Sequence, residues 1–406
     1  MKSIQLFKII ILLTILFAAS LIIPAIVLQP YWLFDRWDIG VYHDYAFQIF
    51  SGKIPYVDFS IEYPQLALIA IILPYFISLI FRNPQMYTYS HIIICSILYI
   101  ATAVLVFHIT QGLYGRTDRA FIASIMTATA FSATYFVATK YDAYPTFFMF
   151  LAVYLYTLET KIKWSYFVST IGFFIKWIGV LPLPFFLMRD IKQYRRKMKK
   201  VANSEESAKN IVFSILLCLF LVALILFPFF FLSLERGNFS NLIYAYTYHL
   251  DRNAQTESIF FLLDSAFGIG AFFSRISTFV MLSAMSIVYF MYYKKNDLSL
   301  QTLVGYITFA VFIFVFFNKV ASPQYILWFT PFFAIILSRK ALHIIWFYVI
   351  QLWMFLEYPF LFAWGLATND TYIMWTGSII FFTLKYILWG SISFVVWKEI
   401  NSSVAE

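Results

Sequence analysis

The sequence predicts an all-α fold, a polytopic bundle of transmembrane helices forming one membrane domain over 1–406. Two observations predict it. Of the 406 residues, 62% are hydrophobic and 12% charged, whereas soluble chains carry about 45–50% apolar and about 25% charged residues. Apolar runs also recur about every 25–35 residues, close to the ~20 that cross a bilayer, and leave no stretch of ordinary size for a soluble domain.

The first run, 8–29, follows Lys2 and Lys8 and exceeds a signal-peptide core, so it predicts a retained helix that starts inside. Residues 30–64 then form an outer loop with five carboxylates and seven Tyr or Trp residues. From Arg36 to Phe50 the pattern suits a short amphipathic helix with Asp38, Tyr42 and Tyr45 on one face, while Asp44 points about 120° away from Asp38. Gly52 stops this helix, and Pro55 and Pro64 keep the next stretch extended.

The run at 65–81 decides the topology, because counting it as a span inverts every later loop. The positive-inside rule arbitrates. If 65–81 is re-entrant or interfacial, 258–272 does not cross, and 164–188 forms two short helices returning to one side, about two thirds of the 29 basic residues fall inside. Further runs lie at 90–110, 120–138, 143–158, 211–233, 276–293, 299–318, 325–338, 341–359 and 372–396. The segment 189–210 becomes a basic cytoplasmic linker, 234–275 an outer loop, and both termini are cytoplasmic. Most acids, among them Asp35, Asp38, Asp44, Asp58, Glu62, Asp142, Glu257 and Glu357, fall outside or at the outer edge.

The net charge of +9 is what inner loops collect for topological reasons, so it predicts membrane lipids and no nucleic acid as partners. Cys95 and Cys218 both lie in apolar runs, which argues against a disulfide framework or a cysteine zinc site. There is no GxxxxGK[ST], HExxH or GxSxG motif, and GIGAFF at 268–273 lacks the third glycine of a dinucleotide fingerprint. A soluble nucleotide donor has no visible site. No cofactor is called for, although a carboxylate-rich loop leaves a divalent ion on oxygen ligands open.

Chemistry is expected in the outer loops. Carboxylates beside aromatic rings suit a sugar, whose hydroxyls seek acids and whose apolar face stacks on rings; an interfacial cap and aromatic belt is the bland alternative. A second outer group is Lys140, Tyr141 and Asp142, where Asp142 also reads as a helix cap. A third holds His249 and Arg252, three residues apart and able to face one phosphate, with Gln255 and Glu257 following. A fourth comprises Asn318, Lys319, Ser322, Gln324 and Tyr325. Lys176 and Lys385 are intramembrane charges; Lys176 reads as snorkelling to the cytoplasmic surface, and Lys385 as meeting a buried partner or a lipid phosphate. A transporter or flippase is the competing reading, but it predicts repeated halves and charges at the midplane. No internal repeat is visible, and only Lys385 speaks for that reading.

The segment WDIGVYHDYAFQIFSGKIPYVDFSIEYPQ (37–65) resembles the first outer loop of the GT-C superfamily of membrane glycosyltransferases, especially the polyprenol-phosphate-mannose-dependent glycosyltransferase family 87. Gln65 stands where that family's loop has a second proline. YHLDRNAQTES (248–258) and SPQYILWFTPFFA (322–334) are similar to later family segments, in the same order.

The resemblance implies about ten to thirteen helices and an active site at the outer, lumenal surface. It implies a hexose, mannose in that family, carried on a polyprenyl or dolichyl phosphate and passed with inversion to a lipid-linked or glycan acceptor. Asp38 best matches the general base, with Asp44 and Asp35 as alternates. Arg252 and His249 are the implied donor-phosphate ligands, and Lys385 joins them as a donor-phosphate candidate from its reading as an intramembrane charge. Tyr42, Asp58, Glu62, Tyr63, Asp142, Gln255, Glu257, Ser322, Gln324 and Tyr325 are the implied substrate-positioning residues. The implied location is the plasma membrane of a prokaryote or the endoplasmic reticulum of a eukaryote, and no metal is implied.

Overall fold

The computed structural model describes residues 36–199, 204–361 and 378–402, so the expected first helix at 8–29 lies outside the described residues. Among these residues the chain forms sixteen α-helices and no strand. Five of them, Gln85–Tyr114, Ala208–Glu235, Phe272–Lys294, Ala341–Tyr358 and Ile380–Asn401, contain stretches long and apolar enough to cross a membrane. The protein is therefore a polytopic, all-α membrane bundle.

Helix α1 (Trp37–Phe50) ends where Ser51 Oγ bonds the Phe47 carbonyl and Gly52 turns the chain at φ 92°. Helix α2 (Ala67–Ile80) is 14 residues long, about 21 Å at 1.5 Å per residue, short of a hydrocarbon core of about 30 Å. Its Ala67, Ala70, Ile71 and Tyr75 are buried, while Ile69, Leu73, Phe76 and Ile80 stay exposed. Helix α3 (Gln85–Tyr114) stops at Gly115, whose left-handed φ of 64° lets its N–H reach the Gln111 carbonyl.

The run expected at 120–138 is two helices, α4 (Thr117–Ala128) and α5 (Phe131–Thr139), bent by 50°. Helices α6 (Ala143–Thr157) and α7 (Ile162–Ile175) form a hairpin, and a 3-10 turn (Trp177–Val180) leads into α8 (Leu183–Lys199). Here Gly172 and Gly179 touch backbone to backbone: a Cβ on Gly179 would lie 2.3 Å from the Gly172 carbonyl carbon. Ser169 Oγ ties the same turn to the Gly179 carbonyl at 2.7 Å. Only glycines allow so sharp a return, and the return places Lys176 at its apex.

Two segments expected as a linker and a loop contain helices. Within 189–210, α8 runs to Lys199 and α9 (Ser204–Glu235) starts at Ser204. One side of α8 is bound into the fold: Arg189 donates to the Leu298 carbonyl at 2.9 Å, and Lys192 to the carbonyls of Tyr292 and Lys295 at 2.8 Å each. The expected outer loop 234–275 is largely α10 (Phe239–Asp251), α11 (Ile259–Phe267) and the start of α12 (Phe272–Lys294).

The remaining helices are α13 (Leu300–Phe316), α14 (Ile326–Leu337), α15 (Ala341–Phe355) and α16 (Ser378–Ser402). Helix α14 is buried at all twelve positions and is the axis of the core. Its last carbonyls, which no helical N–H can reach, accept from Arg119 at 3.2 Å (Ile335) and 3.1 Å (Ile336). Helix α9 instead leaves Leu216, Leu219, Phe220 and Phe227 exposed, as lipid-facing residues are.

Candidate functional site

The polar groups named above gather at the end of the bundle where α1, the α5–α6 junction, the Lys176 apex and the start of α14 meet. Asp38, in the first turn of α1, accepts from Lys140 Nζ at 2.9 Å and, at a long 3.5 Å, from the Tyr42 hydroxyl. Both contacts fall on Oδ2. Burial first, and then the Asp38 charge, push the Tyr42 hydroxyl well above the ordinary tyrosine range, so it remains a donor. Tyr42, Tyr63 and Tyr141 pack edge to face at centroid distances of 5.1–5.8 Å.

The second carboxylate is sealed. Asp142 accepts from Lys176 at 2.7 and 2.9 Å and from the Trp328 indole at 2.8 Å. The Lys176 ammonium also lies 5.0–5.7 Å from the rings of Tyr141, Tyr325 and Trp328, a cation–π enclosure. Lys176 therefore does not snorkel away: the glycine-tight turn carries it back to the start of α6. Side-chain exposure separates the acids, at 24% for Asp38, 1% for Asp142 and 81% for Asp44. Among the described residues Asp44 pairs only with His43, at 3.7 Å.

The loop after α1 is built by its own residues. Asp58 Oδ2 accepts the Ile54 N–H at 2.7 Å and Oδ1 meets Arg236 at 2.5 Å; chiefly the Ile54 bond holds this carboxyl below the usual aspartate range. Tyr56, buried at a φ of 62°, donates to the carbonyls of Tyr63 and Pro64 at 2.9 and 3.0 Å. Asn238 and Asn241 both donate to the Val57 carbonyl at 2.8 Å, docking α10 on the loop. Asp58 thus shapes the turn, whereas the charge of half-buried Glu62 acts on the Tyr248 hydroxyl.

Arg252 stands 5.1 Å over the Tyr248 ring. With the Gln255 amide turned to satisfy both neighbours, that amide accepts from Arg252 and donates to the Val320 carbonyl at 2.7 Å. The Gln255 N–H bonds the Lys319 carbonyl at 2.9 Å, Lys319 Nζ bonds the Leu250 carbonyl at 2.8 Å, and Ser322 Oγ lies 3.4 Å from the Gln255 amide. The segments 248–258 and 318–325 are therefore stitched together. The charges of Asp142, Arg252 and Glu62 all act on Tyr325, and those of Asp38 and Glu62 on Tyr63. Gln324 is half-buried and makes no side-chain hydrogen bond among the described residues.

Lys385 has a protein partner in place of a phosphate. It is fully buried, pairs with Glu357 at 2.8 Å and donates to the Glu257 carbonyl at 3.0 Å, which Tyr386 also reaches at 3.0 Å. Glu357 lies where α15 breaks: Tyr358 is extended (φ −144°, ψ 124°) ahead of Pro359, as a residue before proline prefers. The Glu257 side chain accepts from Thr256 at 3.1 Å. Asp35 and the side chain of His249 lie outside the described residues. Sequence reasoning missed the pairing of Lys140 with Asp38 and of Trp328 with Asp142, which no local spacing signals.

Compared with protein-family models and with curated proteins, the chain matches none.

Proposed function

We propose that the protein is a membrane glycosyltransferase of the GT-C kind that moves a hexose, mannose by the resemblance to family 87, from a polyprenyl-phosphate donor to a lipid-linked or glycan acceptor. The observation that carries this reading is Asp38: a partly exposed carboxylate, bound through one oxygen only among the described residues, set among tyrosines and in the same polar group as Arg252. The contact of Ser322 Oγ with the Gln255 amide also supports it, because 248–258 and 322–334 are the two later segments that resemble the family.

The chemistry proposed is that of the family the sequence resembles, with roles given to the residues of the site. Oδ1 of Asp38 accepts the proton of an acceptor hydroxyl, and the freed oxygen bonds to the anomeric carbon from the side opposite the phosphate. The bond from that carbon to the phosphate oxygen breaks, its electron pair leaves on the polyprenyl phosphate, and the sugar is inverted. A positioned base of this kind contributes about 10²–10⁴-fold. Arg252 faces the charge developing on the leaving phosphate, and Lys140 and Tyr42 hold Asp38 in place. Asp142 and Lys385, both sealed by protein partners, take no substrate contact in this mechanism. By the positive-inside rule the site faces the outer or lumenal side.

The test is transfer from radiolabelled polyprenyl-phosphate-mannose by purified protein in liposomes supplied with a lipid and glycan acceptor pool. Labelled product that depends on the protein supports the proposal. No transfer from this or other lipid-phosphate hexoses, with substrate flux across the same liposomes, would move the protein to the transporters.

A further inference from the structure

Where the loop after α1 meets the Lys176 turn and α10, the fold leaves an amide half used. Gln65 is 2% exposed; its Oε1 accepts from the Tyr246 hydroxyl at 2.6 Å, and its Nε2 has no hydrogen-bond partner among the described residues. We infer that this Nε2 donates to a hydroxyl of the transferred hexose or of the sugar that accepts it, which makes Gln65 a specificity-determining residue. The inference rests on the transferase reading for the identity of the sugar.

The amide is fixed from two sides. The Leu66 N–H bonds the Phe174 carbonyl at 2.8 Å, tying the chain beside Gln65 to the last turn of α7. Tyr246 belongs to α10, which Asn241 docks on the same loop through the Val57 carbonyl. With Oε1 taken by Tyr246, the planar amide turns Nε2 away from that hydroxyl. A buried N–H without a partner is costly and rare in folded proteins. An apolar side chain of the same size would fill the place without that cost.

The surroundings suit a sugar. Tyr63, two residues before Gln65, packs its ring on Tyr42, whose hydroxyl reaches Asp38, so the amide belongs to the Asp38 end of the bundle. The Trp177 indole packs on the Tyr246 ring at 5.7 Å and is 36% exposed. An exposed indole offers an apolar face on which a sugar ring can rest, and a hydroxyl of that sugar reaches Nε2 as the two rings part. Amide and phenol are both neutral, which matches a neutral hydroxyl; a phosphate has Arg252, six residues after Tyr246.

The test is transfer by the full chain in liposomes, with polyprenyl-phosphate-mannose as donor and octyl mannoside as acceptor, for wild type and Gln65→Leu/Tyr246→Phe. Replacing both partners of a buried hydrogen bond by apolar groups of similar shape is nearly neutral or stabilising, so the double variant should unfold at or above the wild-type temperature. Loss of one neutral hydrogen bond should raise KM about three- to tenfold for one of the two sugars and leave the other unchanged. A rise for the donor places the transferred hexose at Gln65, and a rise for octyl mannoside places the acceptor there. Saturation-transfer NMR of methyl mannoside on the same proteins in nanodiscs reads the contact without turnover, and its signal should weaken in the double variant. A wild type that transfers nothing but gives that variant-sensitive signal would remove the transferase and keep the Gln65 contact; no transfer and no such signal would remove both. Unchanged KM for both sugars overturns the contact and leaves the transferase standing. A double variant that unfolds early, or that loses kcat and both affinities together, marks the amide as structural and overturns the inference as well.

Discussion

Lys140 Nζ and Asp38 Oδ2 meet at 2.9 Å, so the acid of α1 is held by the residue that ends α5, 102 positions further along the chain. Lys140 is 7% exposed and cannot swing away. Lys140→Gln should leave the fold intact and misplace Asp38; errors of about 1 Å cost about 10²-fold in rate. Transfer kinetics should show the loss in kcat more than in KM.

The Asp142–Lys176 pair is expected to matter for stability instead. Removing one member of a buried pair strands the other at a cost of about 3–5 kcal/mol. Lys176→Met should lower the thermal unfolding midpoint sharply in detergent, and Asp142→Asn combined with Lys176→Met should recover much of it. Unfolding of Lys176→Met at the wild-type temperature would show that the pair contributes nothing.

Gly179→Ala places a methyl carbon against the Gly172 backbone at 2.3 Å. The turn must open, at about 1–3 kcal/mol or more, and Lys176 moves with it. Gly40→Ala, in α1 with open space at the Cβ, should be neutral or slightly stabilising. Unfolding midpoints compare the two directly.

The loop of residues 52–66 should loosen in acid. The folded state holds Asp58 below the ordinary 3.8 of an aspartate, so its contribution is fully present above that value and lost as the pH falls through the lowered value. The protection of the Ile54 amide against hydrogen exchange, its intrinsic rate divided by the observed rate, should fall in wild type between about pH 6 and about pH 3. In Asp58→Asn that protection should be low throughout.

Much of the fold was legible because apolar runs and punctuation residues are local signals. Helix α1 begins one residue after Arg36, ends at Phe50 as Gly52 implies, and carries Asp38 and Tyr42 on a shared face. The 50° break at Thr129–Ala130 was not legible, since neither glycine nor proline marks it. Lys176 was misread as snorkelling because its destination depends on the contact between Gly172 and Gly179, and on Asp142, 34 residues earlier. Lys385 left two readings open until Glu357, 28 residues away, came into place. Asp38, Asp44 and Asp142 look equivalent as letters; exposure and partners, which only folding supplies, tell them apart.

The central claim is that Asp38 is the base of a sugar transfer. The direct measurement is single-turnover transfer from polyprenyl-phosphate-mannose in liposomes by wild type, Asp38→Asn and Asp44→Asn, with equal unfolding midpoints as the check on folding. The account predicts a fall of about 10²–10⁴-fold for Asp38→Asn and a near-wild-type rate for Asp44→Asn. Full activity in Asp38→Asn would contradict it.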